Sequence, residues 1–172
     1  MEEIKMRKII IGDCGTGKST RCLKEAVDYN GIVIYLDGIP DAGKWYEKNK
    51  MNQFIYKNNI RPFKLESTKK YFITPENGSS EIFKTGAELF ASDKINDFIG
   101  KEILDMPRLV IFDDNAWSFQ KNKLANLWKL SHSATDCIIS VQDWKDLFGI
   151  HINLTLEMYE DLSHYWTIIE MS

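Results

Sequence analysis

Short apolar, β-branched runs alternate along this chain with segments of helical periodicity. The first run, Lys8–Ile11, ends at a glycine and predicts a buried strand. A helix is expected from Ser19 onward, because its apolar residues recur at helical spacing until Asn30-Gly31 provides a stop signal. A second strand is predicted at Ile32–Leu36. The strand–helix–strand unit predicts parallel strands and a right-handed crossover.

Later runs continue the pattern. Leu109–Phe112 and Asp136–Val141 predict two more buried parallel strands, with a helix expected between them through Lys121–Leu130. Near the end, Ile152–Tyr159 and His164–Met171 alternate in part, which predicts an antiparallel pair at one edge of the sheet. We therefore expect a single α/β domain over residues 1–172, with three layers and a mainly parallel central sheet.

The middle of the chain is less regular. Lys69–Thr74 predicts a strand, and Ser92–Leu104 predicts a helix with Ser92 or Asp93 as its cap. Composition changes this picture little: 172 residues with 44% hydrophobic and 27% charged are typical of a globular protein. Three cysteines do not make a disulfide framework, and nothing reaches membrane length, so a reducing, cytoplasmic setting is expected.

A phosphate-binding loop is the strongest motif in the sequence. Residues 12–19 match the pattern G-x-x-x-x-G-K-[ST] without a mismatch. Backbone N–H groups of such a loop, together with the N-terminus of the following helix, cradle a polyphosphate, here ATP with Mg²⁺. Lys18 is expected to reach the β- and γ-phosphates, and Ser19 to ligate the magnesium ion. The nucleotide-binding residues predicted are Gly12, Asp13, Cys14, Gly15, Thr16, Gly17, Lys18, Ser19 and Thr20.

The alternative for this loop is a glycine-rich turn that binds nothing. The motif lies between a predicted strand and a predicted helix, which is the context that phosphate binding requires, and this favours the functional interpretation. Within the loop, Cys14 is interpreted as a tolerated small residue rather than a redox group.

Polar residues also follow the two later strands. Asp113 and Asp114 end an apolar run in the manner of a Walker B motif, in which Asp113 would hold magnesium and Asp114 would orient or activate a water. The alternative is that the aspartates cap the next helix. Gln142 ends the later strand, and it is expected in the same crevice as Ser19 and Asp113, as a sensor of the γ-phosphate or the attacking water. A surface glutamine is the alternative there.

Together these motifs resemble the FtsK/HerA superfamily of DNA-pumping ATPases, and in particular its small viral branch of poxvirus-type and phage genome-packaging ATPases. The resemblance covers residues 7–38 and 108–160. It implies a catalytic role for Lys18, Asp114 and Gln142, double-stranded DNA as the partner, a ring-shaped homo-oligomer, and capsid or membrane-associated viral proteins as further partners. For a viral protein it implies the host cytoplasm or the virion.

The family also uses an arginine finger from a neighbouring subunit, and this chain has no arginine after Arg108. Arg61 or a lysine among Lys121, Lys123 and Lys129 could take that place.

A basic sector lies between Lys44 and Lys70, with eight basic residues against two acids and a surplus of six positive charges. Its interleaved aromatics suit nucleic acid, since lysines neutralise phosphates and rings stack on bases. The alternative is a solvated face with its aromatics in the core. The predicted DNA contacts are Lys44, Lys48, Lys50, Lys57, Arg61 and Lys64.

Two other functions remain open from the sequence. A small P-loop kinase of a nucleotide or metabolite has this size, although such kinases generally carry several arginines on a lid. A nucleotide-gated switch without fast turnover is the third possibility. We favour ATP hydrolysis coupled to DNA translocation.

Overall fold

The computed structural model describes residues 6–39, 54–57, 69–75, 107–113, 115–149 and 152–172. The strands are β1 (Arg7–Ile11), β2 (Ile32–Asp37), β3 (Phe54–Lys57), β4 (Lys70–Ile73), β5 (Arg108–Asp113), β6 (Asp136–Val141) and β7 (Thr167–Glu170). The α-helices of these residues are α1 (Lys18–Asp28), α2 (Lys123–Ser131), α3 (Trp144–Phe148) and α4 (Leu156–Tyr165), and a 3₁₀ turn spans Trp117–Phe119. The chain thus has an α/β architecture.

The seven strands of these ranges form one parallel sheet in the order β3-β4-β2-β5-β6-β1-β7. The predicted strands β1, β2, β4, β5 and β6 are confirmed, and so is the parallel direction of β1 and β2. The strands β5 and β6 lie between β1 and β2. The order places the end of β6 between the phosphate-binding loop and the end of β5.

The predicted antiparallel C-terminal edge is wrong. Residues 156–165 form α4 instead of a strand, and β7 pairs parallel to β1 with Lys8 opposite Thr167. Thr155 caps the helix by accepting a hydrogen bond from the Met158 N–H at 3.2 Å. A helix that intervenes between two strands of one sheet returns the chain to the same end, so β7 enters in the direction of β1.

The core is divided between the two faces of the sheet. One face packs against α1, where Cys22 and Ala26 are fully buried. The opposite face packs against the 3₁₀ turn and the helices α2, α3 and α4, through Trp117, Leu127 and Leu162 among others. Because successive strand residues point to opposite faces, the strand positions alternate between these two clusters.

Several predictions for the middle of the chain lie outside the described residues. These are the helix at Ser92–Leu104 and the DNA-contact residues Lys44, Lys48, Lys50, Arg61 and Lys64. Lys57 is the last residue of β3, a strand that the sequence did not predict. Within the described ranges, no helix has the length and apolar character needed to cross a bilayer.

Candidate functional site

The loop between β1 and α1 has the backbone of a phosphate cradle. Gly15 and Gly17 have φ values of 81° and 91°, a left-handed conformation that side-chain-bearing residues rarely adopt. The Thr16 N–H donates to the Asp13 carbonyl at 3.3 Å, which closes the turn. Gly17 immediately precedes α1, so the N-terminus of that helix, which carries a partial positive charge, lies at the loop.

Lys18 folds back over this loop. Its ammonium group donates to the carbonyl oxygen of Gly12 and, at 2.9 Å, to that of Asp13. Phosphate oxygens carry a full negative charge and make stronger hydrogen bonds to an ammonium group than neutral carbonyls do. Ser19 is half-buried in the same turn of α1, and Cys14 and Thr20 are exposed. A polyphosphate bound at the loop could therefore replace these carbonyl oxygens as the acceptor of the Lys18 ammonium group.

The loop is anchored by the strands on both sides of β1. The Gly12 N–H donates to the Val141 carbonyl at 3.2 Å, and the Met171 N–H donates to the Ile11 carbonyl at 2.7 Å. A Cβ atom at Gly12 would lie 2.8 Å from the Met171 carbonyl oxygen, so the close approach requires glycine. The residue that follows β7 thus helps to hold the start of the loop in place.

A buried row of polar residues crosses three adjacent strands at the carboxyl edge of the sheet. Asp37, Asp113 and Ser140 lie at the ends of β2, β5 and β6 and are 0%, 1% and 3% exposed. Asp37 pairs with Asp113 in the register, and Ser140 follows Ile139, the residue paired with Phe112. We call these three residues the polar row.

The polar row faces α1. Tyr35, Ile111 and Ile138, each two residues earlier on its strand, belong to the cluster that packs against α1. Because strand side chains repeat every second residue, the polar row points to the same face. Ser19 is the second residue of α1, so it lies on that side of the sheet, at the end of the helix next to the loop.

Tyr35 supports the central aspartate of the row. Its hydroxyl group donates to Asp113 Oδ2. Burial raises the pKa of Tyr35 well above its ordinary value, and the negative charge of Asp113 raises it further. The phenol therefore stays protonated and remains a hydrogen-bond donor at physiological pH.

The donor set suits magnesium. Mg²⁺ prefers oxygen ligands, usually one or two carboxylates together with water and substrate phosphates. Ser19 and Asp113 supply such oxygens, and Asp37 adds a second carboxylate next to Asp113. No cluster of three or more metal-binding side chains of the His, Cys, Asp or Glu type occurs among the residues described.

A cavity of about 170 Å³ opens beside the loop and the polar row. Lys18 and Gln142 both line it, whereas Ser19 and Asp113, which were expected to share a crevice with Gln142, are not among its lining residues. Asp113 is buried beneath the edge rather than lining the cavity, and Asp114 lies outside the described residues. The cavity is also lined by further polar residues, and the full polar set is Cys14, Lys18, Asn115, Ser118, Ser140, Gln142 and Asp146.

Two of the arginines make hydrogen bonds far from the loop. Arg7 donates to the carbonyl oxygens of Leu130 and Ser133, and buried Arg108 donates to the Thr135 hydroxyl at 2.8 Å. Each arginine begins its strand, at the edge opposite to the loop. Neither can reach a phosphate held at the carboxyl edge.

The described part of the basic sector is partly structural. Lys70 donates to the backbone carbonyls of Ala26 and Val27 at the end of α1. Phe54 is buried, and its ring packs edge-on against Phe72 at a centroid distance of 5.9 Å. Phe54 therefore fits the alternative interpretation of the basic sector, in which its aromatic residues pack in the core.

Comparison of the chain with models of protein families, with curated proteins and with solved structures gave no match. The site is therefore interpreted from its own geometry. Sequence reasoning missed Asp37 and Ser140. Asp37 follows a buried apolar strand just as Asp113 does, and that signal could have identified it. Ser140 lies within a predicted strand and has no comparable signal.

Proposed function

We propose that this protein is a P-loop ATPase that couples hydrolysis to the movement of double-stranded DNA. The observation that carries the ATPase part is the cavity in which Lys18 and Gln142 meet, next to a buried aspartate on the face of α1. Ligands of parallel α/β sheets bind outside the carboxyl ends of the strands, where this cavity lies.

We attribute nucleotide binding to the backbone of the loop and to the side chains of Lys18 and Ser19. The N–H groups of the loop and of the first turn of α1 receive phosphate oxygens, and Lys18 exchanges its carbonyl contacts for the β- and γ-phosphates. Ser19 and Asp113 would hold magnesium, with Tyr35 orienting the carboxylate of Asp113. A bound magnesium ion neutralises charge on the phosphates.

Hydrolysis needs a positioned water. Gln142 is a neutral hydrogen-bonding group on the cavity wall, which suits it to contact the attacking water or the γ-phosphate. Asp114, one residue beyond β5, is proposed as the acid that orients or activates that water. Both roles follow the resemblance to the DNA-pumping ATPases.

The DNA and the oligomer are proposed on two grounds. The first is the resemblance of the motifs, and the second is the basic surplus of residues 44–70. In the ATPases that the motifs resemble, a neighbouring subunit supplies an arginine finger to the γ-phosphate. A ring of identical chains would supply it.

The test is phosphate release from ATP with and without double-stranded DNA, together with the mass of the protein in solution. We expect DNA-stimulated hydrolysis by an oligomer. Lys18→Ala should abolish turnover, whereas Lys24→Ala, an exposed lysine of the same helix, should leave it unchanged. Full turnover in Lys18→Ala would contradict the site. Phosphate transfer to a small acceptor by a monomer would instead identify a kinase.

A further inference from the structure

Ser140 has a buried hydroxyl group that makes no hydrogen bond to the described residues. Its side chain is 3% exposed, and Oγ has no hydrogen-bond partner among them. The residue nevertheless lines the cavity that Lys18 and Gln142 share. The hydroxyl is therefore at the boundary between the core and the space that a ligand would fill.

Buried hydroxyl groups in folded proteins are normally hydrogen-bonded, because the loss of their water contacts is otherwise unfavourable. Ser131 shows the ordinary case in this chain. It is equally buried, donates to the Leu127 carbonyl at 2.8 Å and accepts from Trp166 Nε1 at 2.7 Å. Ser140 departs from this rule at the cavity, which indicates a partner that arrives with a ligand.

The fold determines which part of a ligand Ser140 could meet. β6 lies between β1 and β5, so Ser140 is flanked by the strand that carries the phosphate-binding loop and by the strand that ends in Asp113. The lysine of such loops reaches the β- and γ-phosphates, and Ser140 lines the same cavity as Lys18. A hydroxyl at this position would therefore face the outer end of a bound triphosphate.

We propose that the Ser140 hydroxyl donates a hydrogen bond to the terminal phosphate of a bound nucleoside triphosphate, and so distinguishes a triphosphate from a diphosphate. The inference rests on the proposed function, because it requires that the loop binds nucleotide. Ser140 acts in it as a binding residue for the γ-phosphate. Gln142, the residue that follows β6, would contact the same γ-phosphate.

The experiment measures the affinities of a non-hydrolysable ATP analogue and of ADP, each with magnesium, by calorimetry. Ser140→Ala should weaken binding of the analogue roughly tenfold, the effect of one hydrogen bond to a charged group, and leave ADP affinity within about twofold. Its thermal unfolding without nucleotide should be unchanged or shifted upward, because no internal hydrogen bond is lost. Ser140→Cys, similar in size with a weak donor, should show the same loss of preference.

Ser131→Ala is the matched control. It should lower the unfolding temperature and leave the preference between the two nucleotides unchanged. The inference is overturned if Ser140→Ala binds both nucleotides as the wild type does, weakens both equally, or lowers the unfolding temperature as Ser131→Ala does. If the wild type binds no nucleotide, the proposed function fails together with the inference. Nucleotide binding by the wild type with no effect of Ser140→Ala overturns the inference alone.

Discussion

Replacing Tyr35 with phenylalanine tests whether the buried phenol orients Asp113. The substitution removes the hydroxyl that donates to Asp113 Oδ2 and keeps the ring. That ring stacks on Phe72 at a centroid distance of 4.8 Å with 11° between the planes, so its packing should persist. The variant therefore isolates one hydrogen bond to a buried carboxylate.

The expected effect has two parts. A hydrogen bond to a charged group contributes about 1.5–3 kcal/mol, so the free energy of unfolding should fall by about 2 kcal/mol. Because residues that orient a metal ligand affect metal affinity, the magnesium concentration needed for nucleotide binding should rise about 10- to 100-fold. Because burial first of all raises the pKa of Tyr35 above its ordinary value, the phenol stays protonated and the effect should be constant from neutral to mildly alkaline pH.

The assay is urea unfolding without ligand, followed by magnesium titration at a fixed concentration of a non-hydrolysable ATP analogue. Tyr29→Phe is the control, since it also removes a tyrosine–aspartate hydrogen bond, from Tyr29 to Asp136 Oδ2 at 2.6 Å. Asp136 begins β6, at the edge away from the loop. Tyr29→Phe should lower stability without changing the magnesium titration. An equal change of that titration in both variants, or no change in Tyr35→Phe, refutes the reasoning.

Two other substitutions test how α1 and its loop are held. Gly12→Ala should destabilise the protein by about 1–3 kcal/mol and weaken nucleotide binding, because its Cβ would lie 2.8 Å from the Met171 carbonyl oxygen. Gly15→Ala, which is strained but uncrowded, should lower the free energy of unfolding in urea by less. A larger loss of stability in Gly15→Ala than in Gly12→Ala would contradict the role of this contact. Burial lowers the pKa of Lys70, with Asp28 partly opposing it, so the unfolded chain binds more protons as pH approaches 10.5 and stability should rise there. Lys70→Met should lose that rise in urea unfolding across the same pH range, and an unchanged rise would exclude Lys70 as its source.

The phosphate-binding loop and the strands beside it could be predicted because each rests on local chemistry. Glycines with positive φ, a lysine and a helix start are specified by adjacent residues, and β5 and β6 are continuous apolar runs. The strand order could not be predicted, because it depends on which faces pack together. It is that order which brings Ser140 beside Asp113.

The error at the C-terminus has a physical cause. Residues 152–159 alternate apolar and polar residues as a strand does, but Met158 and Leu162 are also four residues apart and both pack on the core as one face of α4. Leu156 fits the alternation and yet is 75% exposed. The Thr155 cap and Glu157 in the first turn favour the helix, and these start signals outweigh the alternation.

The polar row departs from the requirements of folding alone. Burying carboxylates at the ends of β2 and β5 carries a desolvation cost, and the hydroxyl of Ser140 gains no hydrogen bond to the residues that the structure describes. Apolar residues at these positions would extend the core that occupies the rest of the three strands. Since departures from local consistency in folded proteins concentrate at functional sites, the row itself argues for a ligand. The glycine-rich loop of residues 12–17 lies on the same edge of the sheet, and the oxygens of the row are of the type that the proposed magnesium-bound polyphosphate requires.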